Sequence, residues 1–247
     1  MSTQKFILFG IHAVHSLLTR HPSRVIQLYI LEERNDQKFR DILALAKSTG
    51  IKVQTVSRQH LDKLTENEVH QGIAAECHKP VAANENDLKQ IVSGCAKPFL
   101  LILDGIQDPH NLGACLRSAD AAGVDAVIVP KDKSVGITPT VSKVASGAAE
   151  SVPFIAVTNL ARTLRDLKEA GVWLFGAAGE AEQSIYQADF TGPLGLVLGA
   201  EGQGMRRLTK EHCDVLLNIP MHGSVSSLNV SVATGIFLFE AVRQRQT

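Results

Sequence analysis

Cysteine is scarce, and its spacing is uninformative. The four cysteines are Cys77, Cys95, Cys115 and Cys213. No two form a C-x-x-C pair, which removes finger-type zinc sites and redox dithiols from consideration. Reduced thiols in a cytoplasmic protein are expected, with no bound metal. Net charge is absent as well: 25 Lys and Arg balance 25 Asp and Glu. That argues against a non-specific nucleic-acid binder. No run approaches the roughly 18 consecutive apolar residues of a membrane helix, so no membrane partner is expected. The opening MSTQKFILFGIHAVHS has an apolar patch, one early Lys and no cleavage-site pattern, and reads as no signal peptide.

What is present suits a soluble globular protein. With 247 residues, 45% of them hydrophobic and 20% charged, the chain can bury one large core or two modest ones. Charge is unevenly spread. Residues 1–97 hold 13 Lys and Arg against 10 Asp and Glu, and residues 98–247 hold 12 against 15. The sign of that asymmetry suits RNA contact by the N-terminal part.

The pattern predicts two α/β domains. In the first, helices are expected over Gly10–Arg20, Asp36–Ser48 and Gln59–Leu64, and strands over Val25–Leu31, Lys52–Val56 and Gly72–Cys77. Residues 80–97 read as a linker with a short helix at Asp87–Val92, which sets domains at 1–79 and 98–247. In the second, buried strands are expected at Phe99–Asp104, Ala126–Pro130, Phe154–Val157, Trp173–Ala177, Leu194–Gly199 and Val215–Pro220. The helices between them are Leu112–Ala122, Thr140–Ala149, Leu160–Ala170 and Met205–Cys213, and Leu228–Arg243 closes the chain. Short buried strands alternating with helices mean a parallel sheet covered on both faces.

Ligands of such sheets bind at the carboxyl ends of the strands, and three loops there stand out. The first, DGIQDPHNLGACLR, offers Asn111 as a helix N-cap and Arg117 nearly two turns on. Arg117 could equally be a surface residue paired to Asp104 or Asp120. The second, VLGAEGQGM, spaces its glycines G-x-x-G-x-G. That matches neither the dinucleotide fingerprint nor a phosphate-binding P-loop. Glu201 lies inside this tight turn, where packing gives an acid little reason to be. The third, IPMHGSVSSLNVSVA, runs into the last helix, and Ser227 or Asn229 would cap it.

Together, DPHNLGACLRSADAAG, LVLGAEGQGM and IPMHGSVSSLNVSVATG resemble the three motifs of the SpoU family of RNA 2′-O-ribose methyltransferases, part of the SPOUT superfamily. They occur in order and at the right strand ends over residues 98–247. FGIHAV and HQGIAAE resemble a bacterial subgroup that methylates a guanosine ribose in the peptidyl-transferase region of 23S rRNA. The resemblance implies a trefoil knot in the C-terminal sheet domain and a small N-terminal RNA-binding domain like certain ribosomal proteins. It also implies S-adenosyl-L-methionine as cofactor, a homodimer, and 23S rRNA as partner. Carried over by motif, Arg117, Asn111, Glu201, Asn229 and Ser227 become the catalytic candidates. Gly199, Ile219, Leu228, Leu198 and Gly204 become the cofactor-binding ones.

A guanidinium does not readily lose its proton. Arg117 is therefore expected to hold a phosphate and stabilise charge on the 2′-oxygen, with Glu201 orienting Arg117 or the loop. Arg20, Arg24, Arg34, Lys38 and Arg40 are candidate phosphate contacts. A dinucleotide-dependent oxidoreductase, a tRNA methyltransferase and a non-catalytic RNA-binding relative are the rival readings.

Overall fold

The protein is described by a computed structural model covering residues 5–32, 37–79, 83–202 and 204–246. The chain divides into two compact units, Met1–Val81 with Ile137–Ser151, and Ala82–Gly136 with Val152–Thr247.

The first unit is built from β1 (Lys5–Phe9), α1 (Ile11–Arg20), β2 (Val25–Leu31), α2 (Gln37–Ser48), β3 (Lys52–Val56), α3 (Arg58–Leu64) and β4 (Ile73–His78). Its sheet runs β1-β4-β2-β3; β4 is antiparallel to both neighbours and β3 is parallel to β2. Alternation along the strands sends Phe6, Leu8, Leu28, Ile73 and Ala75 to one face, where α1 and α2 bury them. Phe9, Val56 and Ala74 lie on the other face, under Leu61 of α3. The apolar patch at the N-terminus is therefore strand β1, paired in register from Lys5↔His78 to Phe9↔Ala74. The HQG segment supports the same unit. The Gln71 Oε1 accepts the free N–H of Ile11 at the start of α1 (3.0 Å).

Residues Ile137–Ser151 cluster with this unit, although they interrupt the second one in sequence. They form α6 (Pro139–Val144) and a short 3₁₀ turn at Ala148–Glu150, shorter pieces than the single helix expected over Thr140–Ala149. Arg24 pairs with Glu150, and Lys143 with Glu68 at 3.0 Å. Arg24 also donates to the His78 carbonyl. The structure thus corrects one expectation, because the Arg24 guanidinium is committed inside the unit and not presented to a phosphate. Arg20, Lys38 and Arg40 are exposed, and Arg34 lies outside the described residues.

The second unit holds α4 (Glu85–Gly94), β5 (Phe99–Asp104), α5 (Pro109–Ala122), β6 (Ala126–Pro130), β7 (Phe154–Val157), α7 (Leu160–Glu169), β8 (Trp173–Ala177), β9 (Gln183–Ser184), β10 (Leu194–Gly199), α8 (Arg207–His212), β11 (Val215–Asn218) and α9 (Val230–Arg245). Its seven strands are all parallel, in the order β7-β6-β5-β10-β8-β11-β9. On one face Leu100, Ile102, Ile128 and Leu174 pack against Leu160, Leu164 and Leu167 of α7 and Leu88 of α4. Elsewhere in the unit α5 and α9 pack together. Leu88 is buried in that core and Ala83 bridges to Ile155, so the stretch read as linker enters this unit from Ala83 onward.

Carboxylates tie strand starts to their neighbours. Asp125 accepts the N–H of Phe99 (2.7 Å), and Asp214 accepts that of Leu174 (2.8 Å). Both act at the amino ends of the strands, leaving the carboxyl ends to the loops.

Candidate active site

Three loops meet at the carboxyl ends of the adjacent strands β10, β8 and β11. They are Ala177–Gly179, Gly199–Gly204 and Ile219–Leu228, and together they line a cleft of about 350 Å³. Leu198, Leu217, Ile219 and Phe237 give it apolar walls, and Ser227, Leu228 and Gly204 complete its rim. This is a strand-end position of the kind where open α/β sheets bind ligands.

The glycine loop needs glycine at Gly199 for a packing reason. A Cβ there would fall 2.0 Å from the Gly204 carbonyl carbon and 2.1 Å from the Met205 nitrogen. The loop leaves β10, turns through Glu201 and Gly202, and returns to touch its own starting point. The Gly204 N–H closes the turn on the Ala200 carbonyl at 2.8 Å.

A second clamp holds the exit of this loop. The Asp104 carboxylate, at the end of β5 and fully buried, accepts two hydrogen bonds from Arg206 and pairs with its guanidinium. Its Oδ1 accepts Nε–H (2.7 Å), with Nη2 2.5 Å away in the ion pair, and its Oδ2 accepts the backbone N–H (2.9 Å). Asp104 pairs in register with Gly199 on β10, so the clamp and the close approach act at the same point. The sequence left Asp104 as a possible partner of Arg117. Its partner is Arg206, 102 residues away in the chain.

The three motifs are joined by a triangle of side chains. Asn229 Nδ2 donates to Asn111 Oδ1 (3.0 Å) and to Glu201 Oε2 (3.2 Å), and Asn111 Nδ2 donates to the same Glu201 oxygen (3.3 Å). Asn229 is the N-cap of α9, accepting the Ser231 N–H at 2.9 Å and the Ser231 hydroxyl at 2.6 Å. Of the two caps considered for this helix, Asn229 is the one observed, and Ser227 lines the cleft. Asn111 is not a cap. Asp108 caps α5 by accepting the N–H groups of His110 and Asn111, and Pro109 follows at the first helical position. That frees the Asn111 amide to reach Glu201.

The triangle stands beside a smaller hollow of about 180 Å³. Gly105–Asp108 and Asn111 line it, and it shares Ala200, Glu201 and Val230 with the larger cleft. An acceptor in the hollow and a donor in the cleft would therefore meet at Glu201.

Arg117 is the candidate that the structure does not bring in. It is exposed on α5, lines neither hollow, and makes no hydrogen bond or ion pair with the described residues. Glu201 contacts Asn111 and Asn229, so the expected orientation of Arg117 by Glu201 is not what this chain displays.

No thiolate serves the site. Cys115 Sγ sits 3.4 Å from the Thr234 hydroxyl between α5 and α9, and burial pushes its pKa up to about 11. Burial raises Cys77 and Cys213 to about 12. Among the described residues, no three His, Cys, Asp or Glu side chains group as a metal site, and no helix is long and apolar enough to cross a membrane.

Comparison with known proteins places these features in a family. Residues 98–239 match the SpoU rRNA Methylase family model, and residues 7–81 match the model for RNA 2′-O ribose methyltransferase substrate binding. The chain is 59% identical over 239 residues to the 23S rRNA (guanosine-2′-O-)-methyltransferase RlmB of Pectobacterium atrosepticum, covering 97% of this chain and 98% of that protein. It is 58% identical to the Escherichia coli K12 protein of the same name, covering 97% of this chain and 98% of that protein. Among solved structures, an RNA 2′-O ribose methyltransferase aligns with a TM-score of 0.82 at 26% identity, covering 100% of this chain and 91% of the other. AviRb of Streptomyces viridochromogenes, a SpoU methyltransferase in complex with AdoMet, aligns at 0.81 and 25% identity, covering 98% and 91%. With its three motif loops joined by Asn111, Glu201 and Asn229 and a family model covering more than half its length, the chain belongs to the SpoU rRNA methylase family.

Proposed function

We propose that this protein transfers a methyl group from S-adenosyl-L-methionine to the ribose 2′-hydroxyl of a guanosine in the peptidyl-transferase region of 23S rRNA. The joining of the three motif loops by Asn111, Glu201 and Asn229, beside a cleft lined by the second and third of them, carries the reading. The RlmB relatives support the guanosine and the rRNA, and the AdoMet complex of AviRb supports the donor.

The cleft fits that donor. Its volume is in the small-cofactor class, its walls mix apolar side chains with polar groups, and the glycine loop presents backbone where Gly199 leaves no room for a side chain. Leu198, Gly199, Gly204, Ile219 and Leu228 would hold it. When bound, S-adenosyl-L-methionine supplies an electrophilic methyl carbon whose leaving group is a neutral thioether.

The protein's own task is then alignment and proton removal. Fixing an acceptor in the hollow beside the cleft can be worth about 7 kcal/mol or more. Asn111 and Asn229 hold Glu201 at the shared wall, and Ser227 positions the cofactor side of the rim. Arg117 grips the phosphate next to the target ribose and stabilises charge developing on the 2′-oxygen; water or a phosphate oxygen takes the proton. Because Arg117 lies outside the hollow of its own chain, this role needs the RNA to reach around α5 or a second copy to supply the residue.

A homodimer suits the exposed Val232 and Phe239 of α9, with Val225 in the preceding loop also bare. A trefoil knot is in keeping with the Ile219–Leu228 loop lying against Gly179, where an added Cβ would stand 4.0 Å from the Ser226 carbonyl oxygen. The first unit would select RNA and the second, which takes in residues 83–97, would catalyse, in the cytoplasm where ribosomal RNA is found. The test is direct. Unmodified 23S rRNA transcript incubated with methyl-labelled donor should yield labelled 2′-O-methylguanosine after nuclease digestion. Label on a base, or none at all, overturns the reading.

A further inference from the structure

We infer that the open half of the N-terminal sheet is a contact surface for single-stranded RNA, with Tyr29 and His60 as the platform for an unstacked base. This rests on the reading of the chain as an RNA methyltransferase and says where its first unit grips the substrate.

The surface follows from the sheet's two faces. α1 and α2 bury one face around Leu8, Leu28 and Ile73, while the other carries α3, a helix of seven residues, and Lys143 of α6 over the Phe9 ring. Leu61 anchors α3 over Phe9, Val56 and Ala74, at one end of the strands. The registers Gln27↔Lys52 and Tyr29↔Gln54 put those four residues on the same face as Leu31↔Val56 but toward the other end. β3 is an edge strand, and its Lys52 and Gln54 on this face are exposed.

The groups on that surface are those that single-stranded RNA uses. The Tyr29 and His60 rings lie 5.8 Å apart and are tilted by 37°, and His60 is exposed. The Tyr29 hydroxyl donates to Glu76 (3.0 Å), which fixes the ring. Lys5 pairs with Glu76 at 2.5 Å and balances its charge. Lys52 makes no ion pair with the described residues, so the surface keeps an uncompensated positive charge for a phosphate. Gln27 and Gln54 bond to each other at 2.5 Å and present amide edges of the kind that read bases. Aromatic faces that stack bases, flanked by cations and amides on a sheet, are a recurring way of binding unpaired RNA.

The experiment is fluorescence anisotropy of the full chain with unmethylated 23S rRNA transcript, alongside calorimetry with S-adenosyl-L-methionine. His60→Ala should weaken RNA binding about fivefold or more, the low end of what a lost base–aromatic stack removes. Lys52→Ala should make the plot of log affinity against log salt shallower by about 0.7 to 0.9, the share of one phosphate contact. Tyr29→Phe, which keeps the ring, should bind almost as the wild type does. Unchanged donor affinity in these variants shows that fold and cleft survive. If RNA affinity and salt slope are unchanged in His60→Ala and Lys52→Ala, while Lys38→Ala with Arg40→Ala weakens binding, the inference is overturned in favour of α2. A folded wild type that binds donor but no RNA overturns both this inference and the substrate reading.

Discussion

Replacing Asp104 by Asn should loosen the glycine loop and weaken donor binding together. The buried carboxylate accepts two hydrogen bonds from Arg206 and pairs with its guanidinium, and the variant keeps the shape but loses the charge. Hydrogen bonds to charged groups are each worth about 1.5–3 kcal/mol. Their loss is not additive here, because the Arg206 side chain is 46% exposed and regains water. A stability loss of about 2–3 kcal/mol follows, short of the roughly 3–5 expected when a wholly buried partner is stranded. If about half of it falls on the 200–206 loop in the free protein, the donor affinity drops about tenfold, since about 1.4 kcal/mol is one decade. Urea unfolding and calorimetric titration measure the two effects. Asp125→Asn is the control. It also removes a half-buried carboxylate bond, to Phe99, but at the amino end of β5, so stability should fall and donor affinity should hold. Asp104→Asn with wild-type donor affinity would refute the positioning role.

Gly199→Ala should already abolish donor binding, because its Cβ would collide with the Gly204–Met205 backbone; melting should show the roughly 1–3 kcal/mol cost of overpacking. Arg117→Ala should abolish methyl transfer and leave donor affinity within about twofold, since Arg117 lines no part of the cleft; calorimetry showing lost donor binding would reassign it. In native protein at pH 7–8 a thiol reagent should modify Cys95 first. Burial keeps Cys77, Cys115 and Cys213 protonated until the pH nears about 11–12, so their thiolate fraction, and hence labelling, rises only as pH climbs toward those values.

How far the sequence spoke depended on where each signal was stored. The buried strands of the second unit were legible because parallel strands covered on both faces leave unbroken apolar runs, as in FLLILD and LGLVLG. β1 carries no local mark of a strand, since its partner β4 lies 64 or more residues away. β9 is two polar residues at a sheet edge and carries no apolar pattern at all. The cap of α5 is itself legible in the sequence. Asp-Pro just upstream is itself a cap followed by a first-turn proline, which releases Asn111 for another task. Nothing local could couple Asp104 to Arg206, or attach Ile137–Ser151 to the first unit, because both depend on tertiary proximity. Motif resemblance, by contrast, found Glu201, Asn229 and the cleft glycines, since each sits in a loop whose composition departs from what packing requires.

Titration of S-adenosyl-L-methionine into the purified full-length chain tests the central claim, that three loops close into one donor cleft. Saturable binding of one donor per chain, with a matching rise in melting temperature, is the predicted result. A cooperatively folding chain that gives neither binding heat nor a thermal shift contradicts it.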